Sequence, residues 1–523
     1  MREILCSGQA RSLEFPYPGG MAALCWSPAG ERGELTVSLH YDGAYGMGEK
    51  YNAVNQKGHT AVNEVEEKFC FQGEKTYCPA PFFWTNTGFG LYAATDERTS
   101  FRFGEKAVCA ELPVDCRVVL FSGMPGEIIR DYMDLFGPAK LPPKWAFGPW
   151  ISANHWDSQE KVERAVAQAE EHGFPVCALV AEAWSDEATF YVFRGARYVP
   201  KPNGGAFRLE DFDFSDSPWP DPAGMVQRLH EKGIRFLLWQ IPVYKKQGPD
   251  EPLNAQNELD QADAVARGLC VHNADGSPYT IPEGHWFAGS MIPDFTNPAA
   301  EETWFSKRNY LTEMGIDGFK TDGGEFIYRE DVRFADGSSG RAGKNRYAQE
   351  YTAAYTKHLG SAQALFSRAG YAGQHTTPIH WAGDQQSQNS ELASALRAGL
   401  SAALTGIPFW GFDIGGFAGP LPTLDLYRRA TQLACFVPVM QWHSEPDGGQ
   451  FRELMPGGEG NNERSPWNLA AAYGKTEFVD EMRFWHNLRM ELLPYLYSVA
   501  LDCAEASKPM MRPLVYQWPE DPL

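Results

Sequence analysis

The chain has 523 residues, 43% of them hydrophobic and 22% charged, which is the balance of a soluble globular protein too long for one ordinary core. Its formal net charge of -21 excludes a surface built to hold nucleic acid or an anionic membrane. Aromatic residues reach 13%, which suits either a large core or a site that stacks sugar rings on indole faces.

Residues 1–140 are rich in glycine and turn pairs and carry short β-type runs such as Glu34–Leu39 and Val118–Phe121. Helical periodicity is absent until Gly126–Tyr132. This pattern predicts an antiparallel β-sandwich domain. Pro138, Pro142 and Pro143 then mark a boundary. From 141 to 507 short apolar runs alternate with amphipathic stretches. Strands are expected at Trp145–Ser152, Pro175–Trp184, Ile234–Pro242, Gly318–Asp322, Ala364–Arg368, Pro378–Asp384, Pro408–Asp413 and Phe436–His443. The clearest helices between them are Gln159–His172, Ala223–Lys232, Ala300–Met314, Arg346–Leu359, Glu391–Leu404 and Leu424–Leu433, with a final helical stretch at Glu477–Ala506. Eight strands with intervening helices predict an α/β fold, a parallel (β/α)8 TIM barrel. A doubly wound open sheet is the alternative, disfavoured because no glycine-rich phosphate loop follows a strand. Segments 186–222 and 244–293 are too long for simple connections and are expected to shape a pocket at the barrel mouth. Residues 508–523 are apolar and strand-like, as if a further β-domain began there and were cut short.

The cysteines are scattered, with no C-x-x-C pair, and several lie in apolar runs, so buried free thiols in a reducing compartment are expected. The N-terminus has no signal-peptide pattern and no stretch is apolar long enough to span a bilayer, so the expected location is cytoplasmic.

Polar residues gather at the C-terminal ends of the later strands. Strand four ends in Lys320-Thr321-Asp322, strand five in Arg368, strand six in Trp381-Ala382-Gly383-Asp384, strand seven in Asp413 and strand eight in His443. Barrel strands fill a packed core, so polar residues collected at one end face the mouth. Two carboxylates there suit glycosidic chemistry, one attacking the anomeric carbon and the other moving the proton. Asp322 and Asp384, on strands four and six, are placed to face each other across a sugar ring, with Lys320 and Arg368 supplying positive charge. Each residue also has a plainer reading: Asp384 as a helix cap, Asp413 as a turn residue, His443 as a core histidine, Lys320 as a structural ion pair.

These segments resemble glycoside hydrolase family 31, the α-glucosidase and α-xylosidase family. Gly318-Phe319-Lys320-Thr321-Asp322-Gly323-Gly324-Glu325 is similar to its nucleophile motif. Phe366-Ser367-Arg368-Ala369-Gly370 with His380-Trp381-Ala382-Gly383-Asp384 resembles its acid/base region. Phe409–Phe417, Trp442-His443, Pro293–Pro298, Gly46–Lys50 and Pro79–Trp84 match further family segments in order. The resemblance implies that Asp322 is the nucleophile and Asp384 the acid/base. It places Arg368, Trp381, Asp413 and His443 around the sugar, with Lys320 and Trp239 beside them. It implies no metal and no organic cofactor. Where the family often carries an aspartate after strand two, this chain has Glu182 and Asp186, either of which could take that role. Gln441 stands where an arginine is common nearby. C-terminal β-domains follow the barrel in the family.

The activity implied is retaining, exo-acting hydrolysis that releases one terminal α-linked sugar from an oligosaccharide or glycoside. Glucose or xylose comes first, with galactose, N-acetylgalactosamine and sulfoquinovose as other family substrates. A transglycosylase would use the same residues, and a non-catalytic carbohydrate-binding barrel is the alternative of another class. No nucleic-acid or membrane partner is expected, and an oligomer is compatible with the sequence.

Overall fold

The computed structural model describes residues 1–444 and 462–521. The N-terminal part is an antiparallel sandwich. One sheet runs Arg2–Cys6, Cys116–Ser122, Phe89–Ala94, Pro79–Thr85, Ala44–Gly48 in spatial order; the other runs Arg11–Tyr17, Gly20–Ala29, Arg32–Ser38, Ala107–Pro113, Thr99–Phe103, Thr60–Asn63. Gly20–Ala29 alternates buried and exposed residues, as a strand with one solvated face should. Pro79–Thr85 is buried throughout, because its sheet has a second covered face. On that face Phe82, Trp84, Val119 and Phe121 pack with the helix Pro125–Met133 and with Ala369, Tyr371 and Leu404 of the barrel. The sandwich is thereby seated on the barrel by a continuous apolar layer, with Trp84 Nε1 donating to the Leu404 carbonyl at 2.9 Å.

The second part is a parallel barrel. Its eight strands are Pro149–Ala153, Ala178–Ala181, Arg235–Gln240, Gly318–Thr321, Ala364–Ser367, Ile379–Trp381, Trp410–Gly411 and Met440–Ser444, in chain order around the ring. Strands one and eight pair directly, and the seam between seven and eight closes through a bridge between Asp413 and Gln441. Trp150, Val180, Leu237, Phe366, Trp381, Phe409 and Val439 form one buried cluster, so the barrel is a packed core and only its C-terminal mouth is available to a substrate. Each strand falls within or beside its expected segment. No helix among the described residues is long and apolar enough to cross a membrane.

Two expectations need correction, and one excursion holds an element the sequence did not mark. The single helix expected over Ala300–Met314 is two, Pro298–Ser306 and Asn309–Glu313. At the break Lys307 turns in to pair with Asp260 and Arg308 Nε donates to Gln240 Oε1 at 2.6 Å. The 244–293 excursion contains a helix, Ala255–Arg267, capped by the Asn254 side chain. The strand-like end of the chain instead forms a helical turn, Leu514–Gln517, with Val515 and Tyr516 packed against the cluster under Pro125–Met133.

Candidate active site

A cavity of about 1030 Å³ opens at the barrel mouth. Asp322, Lys320, Arg368 and Asp384 lie in its wall with Glu182 and Trp239, and the two long excursions contribute Phe190, Glu187, Arg194, Trp286 and Phe287. Asp322 follows strand four at once. Its carboxylate accepts hydrogen bonds from Trp239 Nε1 at 3.0 Å and from the Gly323 amide at 2.9 Å. Gly323 and Gly324 have φ of 71° and 107°, and a β-carbon on Gly323 would meet Ile241 Cδ1 at 2.6 Å. The left-handed turn is therefore built from the residues that adopt it freely.

Arg368 is fully buried at the end of strand five and meets four carboxylates. Glu325 takes its Nε and Nη2 as a fork, each at 3.1 Å. Asp322 lies 3.1 Å from Nε, Glu67 3.3 Å from Nη2 and Asp384 3.6 Å from Nη1. The Tyr77 ring stacks on the guanidinium at 4.6 Å. Burial raises the Asp384 carboxyl well above the usual range; Arg368 opposes this and the Asp322 and Glu67 charges add to it. Asp384 is not a helix cap, since the following helix, Asn389–Ala403, has Gln388 at its cap position.

Beside this pair lies a second charged group. Lys320 Nζ donates to Glu182 Oε1 at 2.5 Å and sits over the Trp381 ring at 4.7 Å. Burial works against the Lys320 ammonium, but Glu182, Asp413 and Asp322 outweigh it and hold its pKa above the ordinary value. Asp413 Oδ1 accepts from Gln441 Nε2 at 2.8 Å. Gln441 thus holds Asp413 in place. His443 Nδ1 lies 2.8 Å from Ser152 Oγ and 3.7 Å from Glu182 Oε1. Burial, then Lys320, depress the His443 pKa well below its usual value, so the ring is neutral at physiological pH. Among the described residues, Trp381 Nε1 and Asp413 Oδ2 are buried with no hydrogen-bond partner; Trp381, Asp413 and His443 lie behind the cavity wall and do not line it.

Of the two acidic residues after strand two, the structure brings Glu182 to the charged group and leaves Asp186 apart. Asp186 Oδ1 accepts from the Ala188, Thr189 and Phe190 amides, and Oδ2 from Asn254 Nδ2 at 2.9 Å. Its carboxylate organises its own loop and does not line the cavity. Sequence reasoning missed Glu67 and Tyr77, which reach the mouth from the sandwich segment between Thr60–Asn63 and Pro79–Thr85, and gave Glu325 no role. Glu67 carries no local signal; Glu325 stands three residues after Asp322 on the same turn.

The family model described as the glycosyl hydrolases family 31 TIM-barrel domain matches residues 139–499. The chain belongs to glycoside hydrolase family 31. Within that family it is 37% identical over 492 residues to an isomaltosyltransferase of Sporosarcina globispora, covering 91% of this chain and 44% of that protein. It is 35% identical over 519 residues to a 1,3-alpha-isomaltosidase of Kribbella flavida, covering 96% and 70%. Among solved structures, a cycloalternan-forming enzyme from Listeria monocytogenes in complex with a pentasaccharide substrate superposes with a TM-score of 0.90 at 35% identity, over 96% of this chain and 49% of that one. A cycloalternan-degrading enzyme from Trueperella pyogenes, solved with a covalent intermediate, gives a TM-score of 0.89 at 35% identity over 98% and 73%. The chain therefore spans about half the length of some of these family 31 relatives and nearly three quarters of others. The relatives are named for transfer or hydrolysis of isomaltosyl units and for forming or degrading cycloalternan.

Proposed function

We propose that this chain acts on α-linked gluco-oligosaccharides by double displacement with retention, cutting from the non-reducing end. The observation that carries the reading is that Asp322 and Asp384 meet one buried guanidinium in unlike surroundings. Asp322 is hydrogen-bonded and beside two cations, which suits an ionised nucleophile. Asp384 is buried beside other carboxylates, which suits an acid that keeps its proton at neutral pH. In the first step Asp322 attacks the anomeric carbon while Asp384 gives its proton to the departing oxygen. Asp384 has by then given up its proton, and esterification removes the Asp322 charge, one cause of its raised pKa, so it stays ionised and serves as the base that takes a proton from the incoming nucleophile.

The names of the relatives favour glucose over xylose and widen the transferred unit from one sugar to an isomaltosyl pair. A cavity of about 1030 Å³ with Trp239, Trp286, Phe287 and Phe190 in its wall suits more than one sugar ring. The same feature supports a second reading, transfer to a sugar acceptor in place of water. The test uses an α-1,6-linked gluco-oligosaccharide with proton NMR of fresh product. Retention predicts the α-anomer first, and the acceptor reading predicts longer oligosaccharides at high substrate. Asp322→Ala is expected to abolish both while the protein stays folded. The β-anomer first, or turnover by Asp322→Ala near that of the wild type, would reject the mechanism.

A further inference from the structure

Glu325 accepts the directed hydrogen bonds of Arg368, and Asp322 does not. Arg368 Nε is 3.1 Å from both Glu325 Oε1 and Asp322 Oδ1, but its N–H is aimed at Glu325, and Nη2 completes the fork on Glu325 Oε2. Asp322 receives its hydrogen bonds elsewhere, from Trp239 and Gly323. A carboxylate hydrogen-bonded by a guanidinium fork is a poor nucleophile, because the same lone pairs are engaged in charge-assisted bonds. A carboxylate beside a guanidinium that is already engaged gains the charge while its oxygens carry only neutral hydrogen bonds, here one each from Trp239 and Gly323.

We propose that Glu325 is a positioning residue: by holding the Arg368 fork it lets the guanidinium stabilise Asp322 by charge alone while turning Nη1 toward Asp384. The proposal rests on the double-displacement reading above. Burial supports it from another side, since Glu325 is 3% exposed and no sugar reaches it, so it can act only through Arg368. The other titratable or charged groups around the guanidinium are Glu67 and the neutral Tyr77 from the sandwich, Lys320 and Asp322 from strand four and Asp384 from strand six.

The test is Glu325→Gln with Glu325→Asp as the charge-conserving partner. The glutamine keeps one acceptor and presents an NH2 to Nη2, so the fork is released to bind Asp322. We expect kcat to fall about 100-fold, on the scale of losing a preorganised electrostatic contact, with KM within about threefold. The basic limb of the pH profile should move to lower pH, because the released fork neutralises more of the Asp322 charge that helps to raise Asp384. Glu325→Asp should restore part of kcat and return the limb. If Glu325→Gln does not fold, the Asp variant still decides, since a fork shortened by one methylene should lower kcat while leaving the limb in place. Wild-type kcat in either variant, or a loss of thermal stability with kcat and the limb unmoved, would overturn the proposal. Asp322→Ala separates the two ideas: if it is dead while Glu325→Gln is normal, only the positioning role fails, and if it is active, the catalytic reading fails first.

Discussion

Asp384 and Asp413 are both buried carboxylates with raised pKa values at neighbouring strand ends, yet their surroundings differ. Asp413 is tied to Gln441, whereas Asp384 faces Arg368 at 3.6 Å without a hydrogen bond that would lock it. These surroundings support the acid role proposed for Asp384. Asp384→Ala should lower kcat/KM by about 10²–10⁴ for glycosides with poor leaving groups and far less for activated aryl glycosides. A leaving-group series measured on wild type and mutant checks this, and an equal loss across the series would return the role to Asp413. At this scale the chain told much of its own story. Lys320, Arg368, Asp384 and Asp413 sit at strand ends, and position after a strand is visible in a sequence. The plainer reading of Lys320 was also partly right, because it does form an ion pair, with Glu182. Glu67 was invisible because its neighbours, Glu64, Glu66 and Lys68, read as an ordinary solvated run.

Elements differ in how loudly they announce themselves. The barrel strands are short apolar runs, and period and punctuation mark them. The helix Ala255–Arg267 leaves no helical mark in the sequence for a physical reason: the residues it buries are Gln256, Asn257, Asp260, Asp263 and Ala264, so it has no apolar stripe. Its inner face is satisfied by hydrogen bonds, with Gln256 Nε2 donating to Asp260 Oδ1 at 2.7 Å and Lys307 pairing with the same carboxylate. The turn after strand four is the element on which the site depends most. Gly323→Ala places a β-carbon 2.6 Å from Ile241 Cδ1 at a φ of 71°. The expected cost is about 1–3 kcal/mol of stability. Because Asp322 and Glu325 flank the turn, kcat/KM should fall by more than the change in folded fraction explains. Thermal melts and kinetics on the same preparation separate the two effects. An unchanged melt with unchanged kinetics would show the turn to be tolerant.

At the scale of the molecule, the sandwich and barrel share a buried ionisable contact. Glu49 lies under the five-stranded sheet and accepts from Trp410 Nε1 of strand seven at 2.6 Å. Burial pushes its carboxyl up to about 8, against the hydrogen bonds from Trp410 and Tyr51. The folded pKa lies above the unfolded one, so Glu49 is protonated in the fold and ionised in the unfolded chain across that interval. Its contribution is fully present below the unfolded value, near 4.5, and is lost as pH rises toward 8. Wild type should lose stability over this window at up to about 1.4 kcal/mol per pH unit from this group, and Glu49→Gln should be flatter. Denaturant melts between pH 5 and 7 give the cleanest comparison, since burial brings the adjacent Lys50 down to about 7 and its own effect lies above that. Equal slopes in the two proteins would show that Glu49 titrates alike in both states.

The seat of the sandwich on the barrel carries a consequence in time. Gly48 bonds Thr405 and Glu49 bonds Trp410 across separations of 357 and 361 residues. At a synthesis rate of about 5–20 residues per second, the sheet waits roughly 20–70 s for the strand that covers it. During that interval Phe82, Trp84 and Phe121, apolar and destined for burial, have the helix Pro125–Met133 to pack against but not Ala369, Tyr371 and Leu404 of the barrel. Glu67 and Tyr77 are made early, and the arginine they serve is made some 300 residues later. Such a topology has high contact order and a late, slow step. The cleft cannot form until the residues through Phe417 that line it have been made, and the stretch of synthesis before that point leaves the apolar sheet face only partly covered.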